Sequence, residues 1–155
     1  MFLPWYNAYR FLTQNIVRLD RPFVFVDDIV KLYDNFNITD KWIEAALNQL
    51  IKDVRKDMEE YKLYNVAPRL VRFLNDLTNW YVRLNRQRIK GDVSETDMEV
   101  SLNVLFDVIL KFAILVSPQA PFLTEYMYQN LRNVIDEKSV YFADSIHFLN
   151  IPEAN

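Results

Sequence analysis

An all-α fold, an antiparallel bundle of four to five helices, is what this sequence predicts, and three observations carry the prediction. The chain has one glycine in 155 residues, whereas turn-rich β folds use many. It is 51% apolar and 15% aromatic, enough for a sizeable core in a single domain spanning 1–155. Its apolar residues recur every three or four positions in long runs, the period of an amphipathic helix.

The first helix opens at Leu3-Pro4, where the missing proline N–H costs nothing. Trp5, Tyr9, Leu12, Ile16 and Leu19 form its apolar stripe, and Asn7, Arg10, Gln14 and Arg18 its polar face. Arg21-Pro22 stops it. Residues 21–38 form an irregular connection. Phe23-Val24-Phe25-Val26 is suited to an extended run and Asp28–Tyr33 to a turn of helix, with two or three aromatics packed on the body. Thr39 is the expected N-cap of the second helix, with Ile38 and Ile43 as a hydrophobic staple. Ile43, Leu47, Leu50, Ile51, Val54, Met58 and Tyr61 then point inward.

After a break near Tyr61–Tyr64, the third helix is predicted over Val66–Gly91, with Pro68 in its first turns and Gly91 as a left-handed stop. Val66, Leu70, Phe73, Leu74, Leu77, Tyr81 and Leu84 make its apolar face. Arg69, Arg72, Asp76, Asn79, Arg83, Arg86 and Lys90 fall on a second stripe about 100° away. The fourth helix is capped by Ser94 with Asp97. It is apolar nearly all round from Val104, so it is the expected central element. Ser117-Pro118 ends it and Pro121 starts the fifth, with Leu123, Met127, Leu131 and Val134 inward. The tail, 136–155, is a loop with an extended piece at SIHFL.

Several chemistries lack the residues they need. One glycine cannot build a Gly-rich phosphate loop, and one histidine cannot build the two-histidine zinc motif. There are no cysteines, so no disulfide, thiolate metal site or cysteine nucleophile. Val104–Val116 is too short to span a bilayer and carries Asp107 and Lys111. The N-terminus has no charged region followed by an apolar run. No catalytic constellation or metal site emerges, and His147, near Ser145, reads as a loop histidine.

The third helix is the candidate binding element. Between Arg69 and Lys90 lie six cations and one acid, a local charge of +5, in a chain of net charge −3; everything outside this segment therefore sums to −8. A charged helix face is ordinarily just solvated. Here five of the six cations are arginines, whose forks match phosphates, and only Asp76 offers a local i,i±4 partner. Asn79 faces solvent, where an amide can read a base edge or a ribose hydroxyl. Trp80 and Tyr81 border the apolar stripe, which makes core packing the first expectation for both. The polar face of the first helix has no acid and extends this surface if the two helices pack side by side.

At these residues the chain resembles a known family. Leu3-Pro4-Trp5-Tyr6-Asn7-Ala8-Tyr9-Arg10-Phe11, Ile38-Thr39-Asp40-Lys41-Trp42-Ile43, Asn79-Trp80-Tyr81-Val82-Arg83 with Asn85-Arg86, Pro118-Gln119-Ala120-Pro121-Phe122-Leu123-Thr124-Glu125 and Ser145-Ile146-His147 are similar to the anticodon-binding domain of isoleucyl-tRNA synthetases, in its eukaryotic cytosolic form. The Asp-Lys-Trp-Ile and Trp-Tyr pieces are shared with the valine and leucine enzymes. The resemblance implies a helical module that docks on the anticodon stem-loop of a tRNA, next to a catalytic domain of the same polypeptide, in the cytoplasm. Neither nucleotide-binding signature of such enzymes is in this chain, nor anything like an editing domain. It is expected to be an excised domain with no cofactor of its own, while the parent uses ATP and magnesium. Arg72, Arg83, Arg86, Arg88 and Lys90, with Arg10 on the first helix, are the expected phosphate contacts. Asn79 is the expected contact to the loop or its ribose, and Trp80 supports these from below or stacks on a base. The rival readings are a helical protein-interaction bundle and a domain that only orients its neighbours.

Overall fold

The computed structural model describes residues 2–150. The last five positions of the predicted tail therefore lie outside the described residues. Among the described residues the chain forms helices and connecting turns with no strand. The elements are α1 (Phe2–Val17), α2 (Ile38–Glu59), α3 (Leu63–Asn75), a π-helical segment (Asp76–Val82), α4 (Arg86–Lys90), α5 (Glu95–Val116) and α6 (Pro121–Leu131). α3, the π segment and α4 together make the predicted third helix.

Side-chain pairs give the directions. Trp5 of α1 meets Phe112 of α5 edge-on at 5.2 Å between ring centroids. Arg69 of α3 reaches back to Asp57 of α2, and Asp40 at the start of α2 meets Tyr81 and Arg88. Arg88 in turn pairs with Asp97 at the start of α5. Successive helices thus alternate in direction, and the fold is the antiparallel bundle that the periodicity predicts. α5 is its axis: from Val100 to Val116 every residue but Lys111 is buried. Ser94 caps it, accepting the Asp97 N–H at 3.1 Å, as expected.

Residues 21–38 pack as read. Phe23 and Phe25 lie on Phe106, and the Val26 N–H donates to Asn103 Oδ1 at 2.9 Å. A 3-10 helix over Ile29–Asn35 stands where a turn of helix was expected. Tyr61, expected inward, falls past the end of α2 at φ 57° with its ring exposed. SIHFL is not extended: Ser145 caps a 3-10 turn over Ile146–Phe148, and Ile146 alone of the turn is buried. Thr39 is not the N-cap of α2. Asn37 is, because its side-chain oxygen accepts the Asp40 N–H at 2.8 Å while the Asp40 carboxylate accepts the Asn37 N–H at 3.0 Å, a reciprocal capping box. Ile38 consequently points to solvent and forms no staple.

The largest departure lies in the third helix. The π segment over Asp76–Val82 places one extra residue in the helix, and Thr78 Oγ1 donates to the Leu74 carbonyl within it at 2.7 Å. One added residue rotates everything downstream by about 100°. The inward positions run Val66, Leu70, Phe73, Leu74, Leu77, Tyr81 and then Asn85, Arg88 and Ile89. Leu84, predicted inward, is 64% exposed. Gly91 ends the helix at φ 85°, the left-handed stop that was expected.

Candidate nucleic-acid interface

The same rotation divides the predicted basic stripe in two. Upstream of the π segment, Arg69 and Arg72 face α2. Arg69 donates to Asp57 at 2.6 Å and to Asp53 at 2.9 Å, which holds the Asp57 carboxyl below its usual range. Arg72 lines a depression with Gln49, Asp53 and Asp76, a mixed-charge surface. Downstream, Asn79, Arg83, Arg86 and Lys90 turn toward α1 instead.

α1 packs alongside them in the same direction. One depression is lined by Asn7, Ala8, Phe11, Asn79, Val82, Arg83 and Arg86. The next runs on with Phe11, Gln14, Arg18, Arg86 and Lys90. Sharing Phe11 and Arg86, the two form a continuous groove between α1 and residues 78–90. Its floor is apolar (Ala8, Phe11, Val82), and its walls carry amides and four cations, Arg18, Arg83, Arg86 and Lys90. No acid lines either depression. None of the four cations makes an ion pair among the described residues. The first-helix polar face thus does extend the surface, through Asn7, Gln14 and Arg18. Asn7, Phe11, Gln14 and Arg18 follow one another at spacings of four, three and four, the signal that marks one helix face.

Besides Arg72, two more of the expected phosphate contacts lie outside the groove. Arg10 is exposed but lines a depression between α1 and α6, with Tyr6, Tyr126 and Asn130, away from the groove. Arg88 is buried and is not a surface cation at all. Its Nη1 and Nη2 donate to the two Asp40 carboxylate oxygens at 3.1 and 3.0 Å, its Nε to Asp97 at 3.2 Å, and its Nη1 also to Asn85 Oδ1 at 2.8 Å. Burial alone would lower the pKa of Arg88, but the Asp40 carboxylate outweighs it and holds the guanidinium charged. Asp40 also accepts the Tyr81 hydroxyl at 2.8 Å. Asn85 completes the network, donating to Thr39 Oγ1 at 2.8 Å and to the Tyr81 carbonyl at 2.9 Å. Asp40, Arg88 and Asn85 therefore lock the start of α2 to the downstream half of the third helix, and every lone pair they bury is matched to a donor or charge. Position 88 stands seven residues, two helical turns, after the buried Tyr81, on the inward face of the helix, so the spacing itself marks Arg88 as a buried residue.

Trp80 and Tyr81 part company. Tyr81 is in the core as expected, whereas Trp80 is 59% exposed. It is absent from the groove lining. His147 is exposed in its turn.

Known proteins resemble this chain over nearly its whole length. A family model described as the anticodon-binding domain of tRNA ligase matches residues 40–155. An isoleucine–tRNA ligase of Tetrahymena thermophila is 53% identical over 98% of this chain and 14% of its own length. A probable cytoplasmic isoleucine–tRNA ligase of Dictyostelium discoideum is 45% identical over 99% of this chain and 14% of its own. The cytoplasmic isoleucine–tRNA ligase of Mus musculus is 44% identical over 98% of this chain and 12% of its own. The chain thus spans about an eighth to a seventh of the length of these relatives. Among the described residues no helix is long and apolar enough to cross a membrane. A bundle that presents a basic, acid-free groove and matches this family over three quarters of its length belongs to the anticodon-binding domains of the tRNA ligases.

Proposed function

We propose that the groove between α1 and residues 78–90 seats the phosphate backbone of the anticodon stem-loop of an isoleucine tRNA, and that the chain acts within a cytoplasmic isoleucine–tRNA ligase. One observation carries the reading. In a chain of net charge −3, four cations with no ion pair converge on one groove without a single acid. Arg forks and a Lys ammonium along a groove hold phosphates in register, and their affinity depends on salt. Asn7, Gln14 and Asn79 supply amides for ribose hydroxyls and base edges. In this reading ATP, magnesium and the ligation chemistry belong to the catalytic domain of the longer polypeptide, and this domain contributes only tRNA binding.

The test is binding of an isoleucine-tRNA anticodon stem-loop to the chain at two salt concentrations, beside the double substitution Arg83→Glu with Arg86→Glu. Four neutralised phosphates give a slope of log K against log salt of about −3. The double substitution should remove binding while the circular dichroism of the bundle is unchanged. Equal binding by the variant would sink the groove as the site. An acidic polypeptide that competes as well as the RNA would favour a protein-interaction surface.

A further inference from the structure

α1 and α6 are both antiparallel to α5 and so run the same way, leaving a trough between them. Tyr6 and Arg10 stand on one wall, Tyr126, Asn130 and Asn133 on the other. Ile16, Phe106, Leu131 and Val134 close the bottom, around an open space of about 470 Å³. One helical turn before Tyr6 and Tyr126, Phe2 and Phe122 extend the same face with rings 51% and 90% exposed. An exposed apolar patch rimmed by polar groups marks a binding surface.

The charge of this face has one sign. Arg10 is the only charged residue that lines the trough. It is exposed and makes no hydrogen bond or ion pair through its guanidinium among the described residues. The Tyr6 and Tyr126 hydroxyls and the Asn133 side-chain amide are also unengaged among those residues. α1 contains no acid. The one acid of α6, Glu125, is occupied away from the trough, where its carboxylate accepts the Ser145 hydroxyl at 2.8 Å, the Ile146 N–H at 2.9 Å and the Gln129 amide at 2.6 Å. The groove face of α1, Asn7, Phe11, Gln14 and Arg18, lies one residue, about 100°, further round the helix. A single cation cannot hold a phosphate backbone in register as the four of the groove can, so the trough suits a different class of ligand.

We propose that the α1/α6 trough docks an acidic amphipathic helix of a separate protein. A helix laid between two helices places its apolar stripe on the trough floor, the helix-in-groove mode of recognition. Its carboxylate meets the Arg10 fork, which accepts such a group in a bidentate pair. The tyrosine hydroxyls and the Asn133 amide supply the polar rim, and Tyr and Arg are among the residues that carry most binding energy at interfaces. Tyrosines, amides and an arginine also tolerate water when the trough is empty, as a partner that comes and goes requires. From Phe2 to Val17 the wall is about 22 Å long at 1.5 Å per residue, which fits a partner helix of about four turns. None of this depends on RNA occupying the groove.

The test uses the full chain and a labelled synthetic helix of about sixteen residues, with leucines at i, i+3, i+4 and i+7 spacing and glutamates flanking them, followed by fluorescence anisotropy. A second peptide has lysine for every glutamate. The glutamate peptide should bind at least about tenfold more tightly than the lysine peptide. Arg10→Glu and Tyr126→Ala should each weaken it by roughly tenfold or more, with the circular dichroism and melting temperature of the bundle unchanged. Arg83→Glu with Arg86→Glu should bind the peptide as the unaltered chain does, which separates the trough from the RNA groove. No binding of the glutamate peptide, equal binding of both peptides, or full affinity in the two trough variants would each overturn the assignment. Loss of peptide binding in the groove variant would overturn it too, by moving the peptide to the groove. A dimer of the peptide-free chain in sedimentation that Tyr126→Arg dissolves would give the trough to a second copy instead.

Discussion

Arg86 and Arg88 sit two residues apart on one short helix, carry the same side chain, and end in opposite situations. Arg86 stands on the wall of an open groove with no acid beside it. Arg88 is buried, clamped in a bidentate pair with Asp40 and tied to Asp97 and Asn85. The difference teaches that a basic run cannot be counted as one binding surface. A paired and buried arginine organises the fold, and only an unpaired exposed one has its charge available to a ligand. Spacing separates the two, since Arg88 follows the buried Tyr81 by two turns while Arg86 does not, and the π segment adds the partner Asn85 by turning it inward in place of Leu84.

The sharpest way to break this comparison is to remove each side chain in turn. Arg88→Ala leaves the Asp40 carboxylate buried without its charge partner, which costs about 3 kcal/mol or more of stability; urea unfolding should show a lower midpoint. Arg86→Ala should move the same midpoint by no more than about 0.5 kcal/mol, as exposed substitutions do. Similar stability losses from the two would mean that the buried network is not what holds the downstream half of the helix.

A second expected effect tests whether buried charge elsewhere is as well matched as at Arg88. Glu44 is buried beside Asp107, which pairs with Lys111 at 2.6 Å, and its Oε1 has no hydrogen-bond partner. Burial, reinforced by the Asp107 carboxylate, pushes its carboxyl from 4.5 up to about 8. Between these values the folded chain holds a proton that the unfolded chain has released, so stability falls as pH rises through that window. Glu44→Gln, which cannot ionise, should flatten the fall and raise the melting temperature above pH 8. An unchanged pH profile in the variant would show that Glu44 does not carry it.

The smallest effects separate the two halves of the basic stripe. Arg86→Ala should reduce the salt slope of stem-loop binding by about 0.7 to 0.9, one phosphate contact's share. Arg72→Ala, next to Asp53 and Asp76, and Arg10→Ala, on the α1/α6 side, should leave the slope unchanged. A loss of slope at Arg72 equal to that at Arg86 would extend the interface onto the α2 side.

Much of this was legible from residue types and spacing. The helices, the Ser94 cap, the Gly91 stop and the burial of α5 all depend on neighbours within one or two turns, and those neighbours are adjacent in the chain. Arg83, Arg86 and Lys90 are exposed as read, and Asn79 with them. One miss was local: Asn37 displaced Thr39 as the cap because Asp40, three residues on, reciprocates. The others were set by partners far along the chain. Arg10 and Arg18 look alike on α1, yet only Arg18 faces the third helix.

By itself, then, the sequence determined the fold class, the Ser94 and Gly91 helix ends, the central helix and the concentration of positive charge on one segment, since periodicity, capping and composition are local physics. Tertiary structure decided the phase of the third helix past Asp76, and with it the division of the stripe into a paired face and an open groove and the exposure of Leu84 and Trp80. The reason is that one residue added to a helix is nearly invisible in a 3.6-residue pattern, yet it turns every later side chain by about 100°; which phase prevails depends on Tyr81, Asn85 and Arg88 finding Thr39 and Asp40 across 41 to 48 residues of chain.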